Sequence, residues 1–309
     1  MNQIVERALD QWDMTGAPYE LVAARENAVF KIDGANGCFA LRLHRQGYRT
    51  DAELRSELHW MKAVSDGGIE VPVPVPSQQD DVLRTLDGTQ VDVLTWLSGS
   101  TMDSAMGRRS GDERIDLFQS LGQEMARMHT ISDEWVRPTE FVRVAWDAAG
   151  LLGDAPLWGQ FWRNPDLSAE DAKLFERFQQ VAFAELTSFK DRLDYGLIHA
   201  DLVPANVMVD GQKIKIIDFD DGGFGFRLFE IATALQKFAS EQDYPLLRTA
   251  LVAGYAAERE IDLTLLELFL AVRAVTYVGW NIARIQETGG TERNARFIAT
   301  ARRMVFDWL

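Results

Sequence analysis

A chain of 309 residues, 47% hydrophobic and 26% charged, has ample apolar material for a large core. Its 47 acidic and 32 basic residues leave a net charge of −15, which argues against nucleic acid and anionic membranes as partners. Cys38 is the single cysteine, so no intrachain disulfide can form and a reducing, cytoplasmic compartment is expected.

The opening MNQIVERALDQWDM lacks the basic and apolar regions of a leader, and residues 3 to 14 read as a short amphipathic helix. Val22 to Ile32, Cys38 to His44 and Val82 to Leu97 read as strands, with a helix from Asp51 to Val64 between them. VPVPVP at 71 to 76 cannot be a helix interior and reads as an extended connector. After Gly99 long helical patterns take over: Asp112 to His129, Ala169 to Phe189, Phe229 to Phe238, Tyr244 to Arg259, Leu263 to Gln286 and Thr291 to Trp308. No apolar run is expected to reach membrane-spanning length. The pattern predicts an α+β chain: a small sheet lobe with one packed helix over 1–98, and a mainly helical lobe over 99–309.

Leu197 to Asp220 reads LIHADLVPANVMVDGQKIKIIDFD. His199, Asp201 and Asn206 are spaced H-x-D-x-x-x-x-N, and Asp218 follows twelve residues after Asn206. This is the spacing of a phosphoryl-transfer catalytic loop followed by a metal loop. Asp201 suits an acceptor hydroxyl, which it can orient or deprotonate. Asn206 and Asp218 supply oxygen donors for a magnesium ion that keeps several waters. Two short strands joined by an Asp210-Gly211 turn predict a hairpin that folds Asp218 back beside Asn206. The competing reading is that these polar residues only form turns. His199 reads as a support of the loop.

Upstream, FALR at 39–42 alternates so that Ala40 and Arg42 share one face of a strand. That face has a small residue for an adenine ring and a cation for phosphate. Glu53 fits a capping box with Thr50. Glu57 lies on the apolar stripe of Leu54, Leu58 and Met61, so it points inward and needs a cation; Arg42 is the natural one. No glycine-rich loop is present. The turn Arg25-Glu26-Asn27-Ala28 reads either as a backbone phosphate cover or as a plain surface turn. Val93 to Leu97 fits a hinge, where a base would bond the backbone of Thr95 and Leu97.

These blocks resemble the aminoglycoside phosphotransferase/choline kinase superfamily, with closest likeness to homoserine-kinase-type and RdoA/SrkA-type bacterial kinases. The likeness rests on Glu26-Asn27, FALRLHR, RSELHWM, LGQEMARMHT, YGLIHADLVPANVMVDG and IIDFDDGGFGFRLFEIATAL, and covers nearly the whole chain. It implies a two-lobed protein-kinase-like fold and use of ATP and Mg2+. Asp201 would be the catalytic base, and Asn206 and Asp218 the metal ligands. Arg42 stands at the phosphate position, with Glu57 as its partner and Asn27 in the covering turn. Glu230 stands where the family usually has an Asp that ties down the catalytic loop. Ala200 replaces a commoner Gly, and no activation segment follows Asp218. Asp220 reads either as support of the metal loop or as a solvated acid.

The aromatics between Trp135 and Trp162 read as satellite core under a long loop or, alternatively, as ring faces for an acceptor's ammonium group. His59 and His129 read as packing residues. The implied activity is phosphate transfer to a small alcohol: an amino alcohol, a homoserine-like or an aminoglycoside-like acceptor. A Ser/Thr protein kinase of the stress-response type is the alternative, and a non-catalytic nucleotide-binding module a more distant one.

Overall fold

The computed structural model describes residues 1–24 and 27–309. Arg25 and Glu26 of the covering turn, with the family likeness of Glu26, therefore lie outside the described residues. In chain order the elements are α1 (Asn2–Gln11), β1 (Tyr19–Ala24), β2 (Asn27–Gly34), β3 (Gly37–His44), α2 (Asp51–Asp66), β4 (Leu83–Leu86), β5 (Thr89–Thr95), β6 (Ser100–Thr101), α3 (Met102–Met106), α4 (Gly111–Glu134), β7 (Ala145–Trp146), α5 (Ala148–Leu152), a short 3-10 turn (Phe161–Arg163), α6 (Ala169–Phe189), β8 (Tyr195–Ile198), β9 (Val207–Asp210), β10 (Lys213–Ile216), β11 (Gly223–Phe226), α7 (Arg227–Gln236), α8 (Tyr244–Glu258), α9 (Leu266–Trp280), a second 3-10 turn (Ile282–Arg284) and α10 (Gly290–Trp308). The architecture is α+β, as the periodicities indicated.

Two compact units divide these elements. The first comprises Met1–Arg108, Thr130–Arg143 and Ala205–Asp220; the second comprises Arg109–His129, Val144–Pro204 and Asp221–Leu309.

In the first unit five strands form an antiparallel sheet in the order β1-β2-β3-β5-β4. The apolar side of α1 (Val5, Ala8, Leu9, Trp12) packs on Phe30, Ile32, Leu41, Leu43, Val91 and Val93, all buried. Helix α2 starts at a complete capping box: Thr50 N donates to Glu53 Oε2 at 2.8 Å, and Glu53 N to Thr50 Oγ1 at 3.3 Å. Glu53 is thereby spent at the surface, and Glu57 one turn on is wholly buried.

The proline-rich segment is more than a connector. Val75 N donates to Val93 O at 2.8 Å, and Thr95 N donates to Val73 O at 2.9 Å, so 73–75 runs antiparallel along the end of β5. Valine and proline alternate, and only the valines keep an N–H. The donors of Val73 and Val75 are used toward β5, and the proline positions offer none. Gly99 then turns the chain at φ +124°, where an added Cβ would sit 2.7 Å from the Val209 carbonyl oxygen. This lets β6 pair with β9 in the small sheet β10-β9-β6.

The second unit holds the sheet β7-β11-β8 and most of the helices. Helices α4 and α8 cross with their backbones touching. An added Cβ would lie 2.1 Å from Leu251 O at Gly122 and 1.9 Å from Gln119 O at Gly254. Every residue of α7 is buried, and so are nearly all of α9. Against the sequence expectation, Leu266–Arg284 is long and apolar enough to cross a membrane by length and composition. Its apolar window is 72% buried inside the protein, which is the pattern of a helix surrounded by other helices.

Candidate active site

The predicted hairpin forms. β9 and β10 pair antiparallel from Val207↔Ile216 to Asp210↔Lys213 around the Asp210-Gly211 turn. Ile217 N donates to Asn206 O at 3.0 Å, so the pairing extends to the residue before Asp218. The twelve residues between Asn206 and Asp218 thus collapse into two adjacent strand ends. Asn206 is half-buried and Asp218 exposed. Asp218 has φ +68°, a left-handed conformation that a non-glycine residue adopts at a cost and that recurs at working sites. Among the described residues no cluster of three or more His, Cys, Asp or Glu side chains could enclose a metal. One amide and one carboxylate suit a hard cation that keeps water and takes its remaining oxygens from phosphate.

Phe219 follows and packs edge-on to Trp60, ring centres 5.0 Å apart. Trp60 in turn donates to Ser132 Oγ at 2.8 Å. Arg143 holds the same loop from another side, donating through Nη2 to the carbonyls of Phe219 and Asp220. Its Nη1 lies 3.4 Å from Glu57 Oε2.

Arg42 and Glu57 meet as the sequence indicated, Nη1 to Oε1 at 2.8 Å, and both are buried. Arg42 also has a second carboxylate. Its Nε and Nη2 donate in parallel to Asp92 at 2.8 Å each, and Asp92 accepts from His44 Nε2 at 2.7 Å. Burial pushes Glu57 up, but Arg42 and Arg143 outweigh it and hold the carboxyl below its usual range. Asp92 behaves alike: Arg42 and His44 override its burial and keep it far below the ordinary value.

Asp220 is buried rather than solvated. Arg49 donates to its carbonyl at 3.0 Å and stands 3.8 Å from its carboxylate. Burial, then the charge of Glu57, raises its pKa. Three guanidinium groups (Arg42, Arg49, Arg143) and three carboxylates (Glu57, Asp92, Asp220) form one network, buried except at the half-buried Arg49.

The His199–Asp201 segment carries strain too. Ala200 is wholly buried at φ +63°, which explains why glycine is at home there. Glu230 compensates by accepting from the N–H groups of His199 and Ala200. Burial raises Glu230 to about 7, although those two N–H bonds pull the other way. His129, also buried, contacts Tyr255 Oη through Nδ1 at 2.8 Å; burial, then Arg227 and Arg259, lowers its pKa well below the usual value. It is packed in the interior, in keeping with a packing residue.

Asp201 is half-buried and takes a bond of 2.8 Å from Nη2 of Arg273, which sits on α9 and is fully buried. The same Nη2 donates to Tyr277 Oη at 2.9 Å. The aromatic insert divides between the units. Trp135 and Phe141 pack together in the first, ring centres 5.3 Å apart. Trp146 and Trp158 pack in the second, at 5.1 Å. The N–H of Thr95, one of the two residues expected to meet a base, is committed to Val73 O at 2.9 Å, and Leu97 follows the end of β5. Asn27 opens β2 opposite His44.

Sequence reasoning missed Asp92 and Arg143; it named Arg273, with Tyr277, Trp280 and Asn281, only as a candidate floor of the acceptor cleft, without its bond to Asp201. The available signal was a single charge inside an apolar run, as in VDVLTW and LFLAVRAVTYVGW.

The sequence matches the family model described as "Phosphotransferase enzyme family" over residues 19–264. It is 25% identical to a homoserine kinase of Sinorhizobium fredii, across 76% of this chain and 68% of that one. Among solved structures it is similar to a microcompartment-associated aminopropanol kinase, at TM-score 0.83 and 28% identity, covering 99% of this chain and 95% of that one. An amicoumacin kinase in complex with AMP-PNP and Ca2+ shares the fold at TM-score 0.79 and 19% identity, covering 99% and 93%.

Proposed function

Because this chain belongs to the phosphotransferase enzyme family, and is a kinase with a protein-kinase-like fold, we propose that it transfers the γ-phosphate of ATP, with Mg2+, to a hydroxyl of a small amino alcohol or homoserine-like acceptor. The observation that carries this reading is the hairpin that brings Asn206 and Asp218 to adjacent strand ends, with Asp218 exposed.

Bound magnesium nucleotide supplies the phosphoryl group and neutralises charge on its oxygens. Asn206 and Asp218 would hold that metal through their side-chain oxygens. Asp201 orients the acceptor hydroxyl and takes its proton as the new oxygen–phosphorus bond forms and ADP leaves. Arg42, anchored by Glu57 and Asp92, faces the nucleotide phosphates with the N–H groups those acids leave over. Thr95 and Leu97 present backbone groups to the base, and Asn27 lies in the covering hairpin. A reducing, cytoplasmic setting fits the lone, exposed Cys38.

The test is ADP release measured over 1-amino-2-propanol, ethanolamine, homoserine, choline, aminoglycosides and a generic protein substrate. The expected result is turnover of an amino alcohol or of homoserine well above that of protein. Phosphate transfer to protein alone would overturn the reading.

A further inference from the structure

Arg273 is an unusual group for the middle of α9. It is wholly buried, in a helix whose other buried residues are apolar apart from Thr276. Its guanidinium carbon lies 4.2 Å from the ring centre of Tyr277, 4.6 Å from Trp158 and 5.5 Å from Phe229. Its Nε and Nη1 have no hydrogen-bond partner among the described residues. A buried cation that leaves two N–H-bearing nitrogens unbonded is held by something else, and the ring faces supply it. The rings are themselves braced. Tyr277 stacks on Phe297 at 4.9 Å, and Trp146 touches Trp158 at 5.1 Å and Phe229 at 5.8 Å. The guanidinium is therefore fixed on an aromatic wall, and its carboxylate contact among the described residues is Asp201 Oδ1 at 2.8 Å.

An aromatic group beside a half-buried carboxylate is the chemistry that recognises an organic ammonium ion. Here the protein fills that place with its own cation. We propose that Arg273 is a positioning residue: an internal guanidinium that seats Asp201 for the acceptor hydroxyl and closes the Trp158–Tyr277–Phe229 wall to an acceptor's ammonium group. This rests on the role proposed above for Asp201. It has a consequence for substrate class. The acceptor's cationic end is recognised elsewhere than on these rings, and quaternary ammonium alcohols are poor acceptors.

The experiment compares Arg273→Ala and Arg273→Lys with Asp201→Asn in the full chain. ADP release is followed with 1-amino-2-propanol and, without acceptor, with water. Arg273→Ala is expected to lower kcat by about tenfold or more while KM for ATP changes by less than about twofold. Guanidinium chloride at millimolar concentration should restore part of that kcat and raise the melting midpoint of Arg273→Ala alone, since it refills the vacated wall. Tetramethylammonium should raise the midpoint of Arg273→Ala but not of the unaltered protein. Arg273→Lys, which keeps charge but loses the planar fork, should fall between.

Wild-type kcat in Arg273→Ala beside an inactive Asp201→Asn overturns this proposal and spares the role of Asp201. Full turnover by Asp201→Asn removes that role and this proposal with it. An Arg273→Ala protein that guanidinium neither reactivates nor stabilises refutes the aromatic wall as a cation site, whatever its activity.

Discussion

Arg42 and Asp92 are cross-strand partners on β3 and β5, and their side chains meet through two parallel bonds of 2.8 Å. With Nη1 given to Glu57, all three nitrogens of the guanidinium are engaged inside the protein. Arg42 is held by two acids at once, and this sets its direction more rigidly than a single helix glutamate could. A lysine in its place would keep the charge and lose the fork.

Removing Asp92 leaves Arg42 buried with one partner fewer. Breaking a buried pair from one side costs about 3–5 kcal/mol. Asp92→Ala is expected to lose stability in that range by urea unfolding. The double variant with Arg42→Ala should lose clearly less than the sum of the two singles. Additive losses would mean that the two side chains do not interact.

Arg143 joins Glu57 on α2 to the carbonyls of Phe219 and Asp220. Arg143→Gln frees the loop that carries Asp218. The expected outcome is a rise of about tenfold in KM for magnesium ATP at nearly constant kcat, read from ADP-release kinetics. A kcat loss at unchanged KM would place Arg143 outside that chain of contacts.

Asp201 and Asp218 should separate in binding experiments. Asp201→Ala abolishes transfer and leaves nucleotide affinity nearly intact. Asp218→Ala weakens binding of magnesium nucleotide, with little effect on metal-free ADP. Calorimetry with and without EDTA distinguishes them. Equal affinities for both variants would overturn the assignment of Asp218.

Glu230 makes stability depend on pH. Its folded pKa is about 7 against an ordinary 4.5, so between those values the folded protein holds a proton that the unfolded chain has released. Its contribution is therefore greatest at acid pH, is lost as pH rises from about 4.5 to about 7, and is level above that. Glu230→Gln keeps an acceptor for the loop N–H groups and should flatten this part of the pH–stability curve. An unchanged slope in melting midpoint over that window would show that another group is responsible.

The periodicities made most elements legible. α6 runs over Ala169–Phe189, the range its apolar spacing predicts, because its serine cap and buried stripe are both local signals. The hairpin was legible for the same reason: a turn dipeptide between two short apolar runs. Ion pairing was not. Arg42 and Asp92 are 50 positions apart, Arg273 and Asp201 are 72, and Arg143 and Glu57 are 86. Each acid or base has a visible need for a partner, but no local pattern names it. Glu57 could be assigned because its candidate lay only 15 residues away in a strand already identified. The three prolines of 71–76 told part of the story. The missing donors ruled out a helix and marked an extended connector, and the valines between them supply enough N–H groups to extend the sheet as well.

The polypeptide passes from one compact unit to the other five times, after Arg108, His129, Arg143, Pro204 and Asp220. Neither unit is a contiguous stretch, so neither can be cut out or transplanted by a single splice. During synthesis the first unit stays incomplete until its hairpin emerges, when about two-thirds of the chain has been translated. Its five-stranded sheet, whose last strand ends at Thr95, lacks the hairpin of the same unit while the aromatic insert and α6 are still being made. Vulnerability to nascent-chain aggregation should concentrate in that interval.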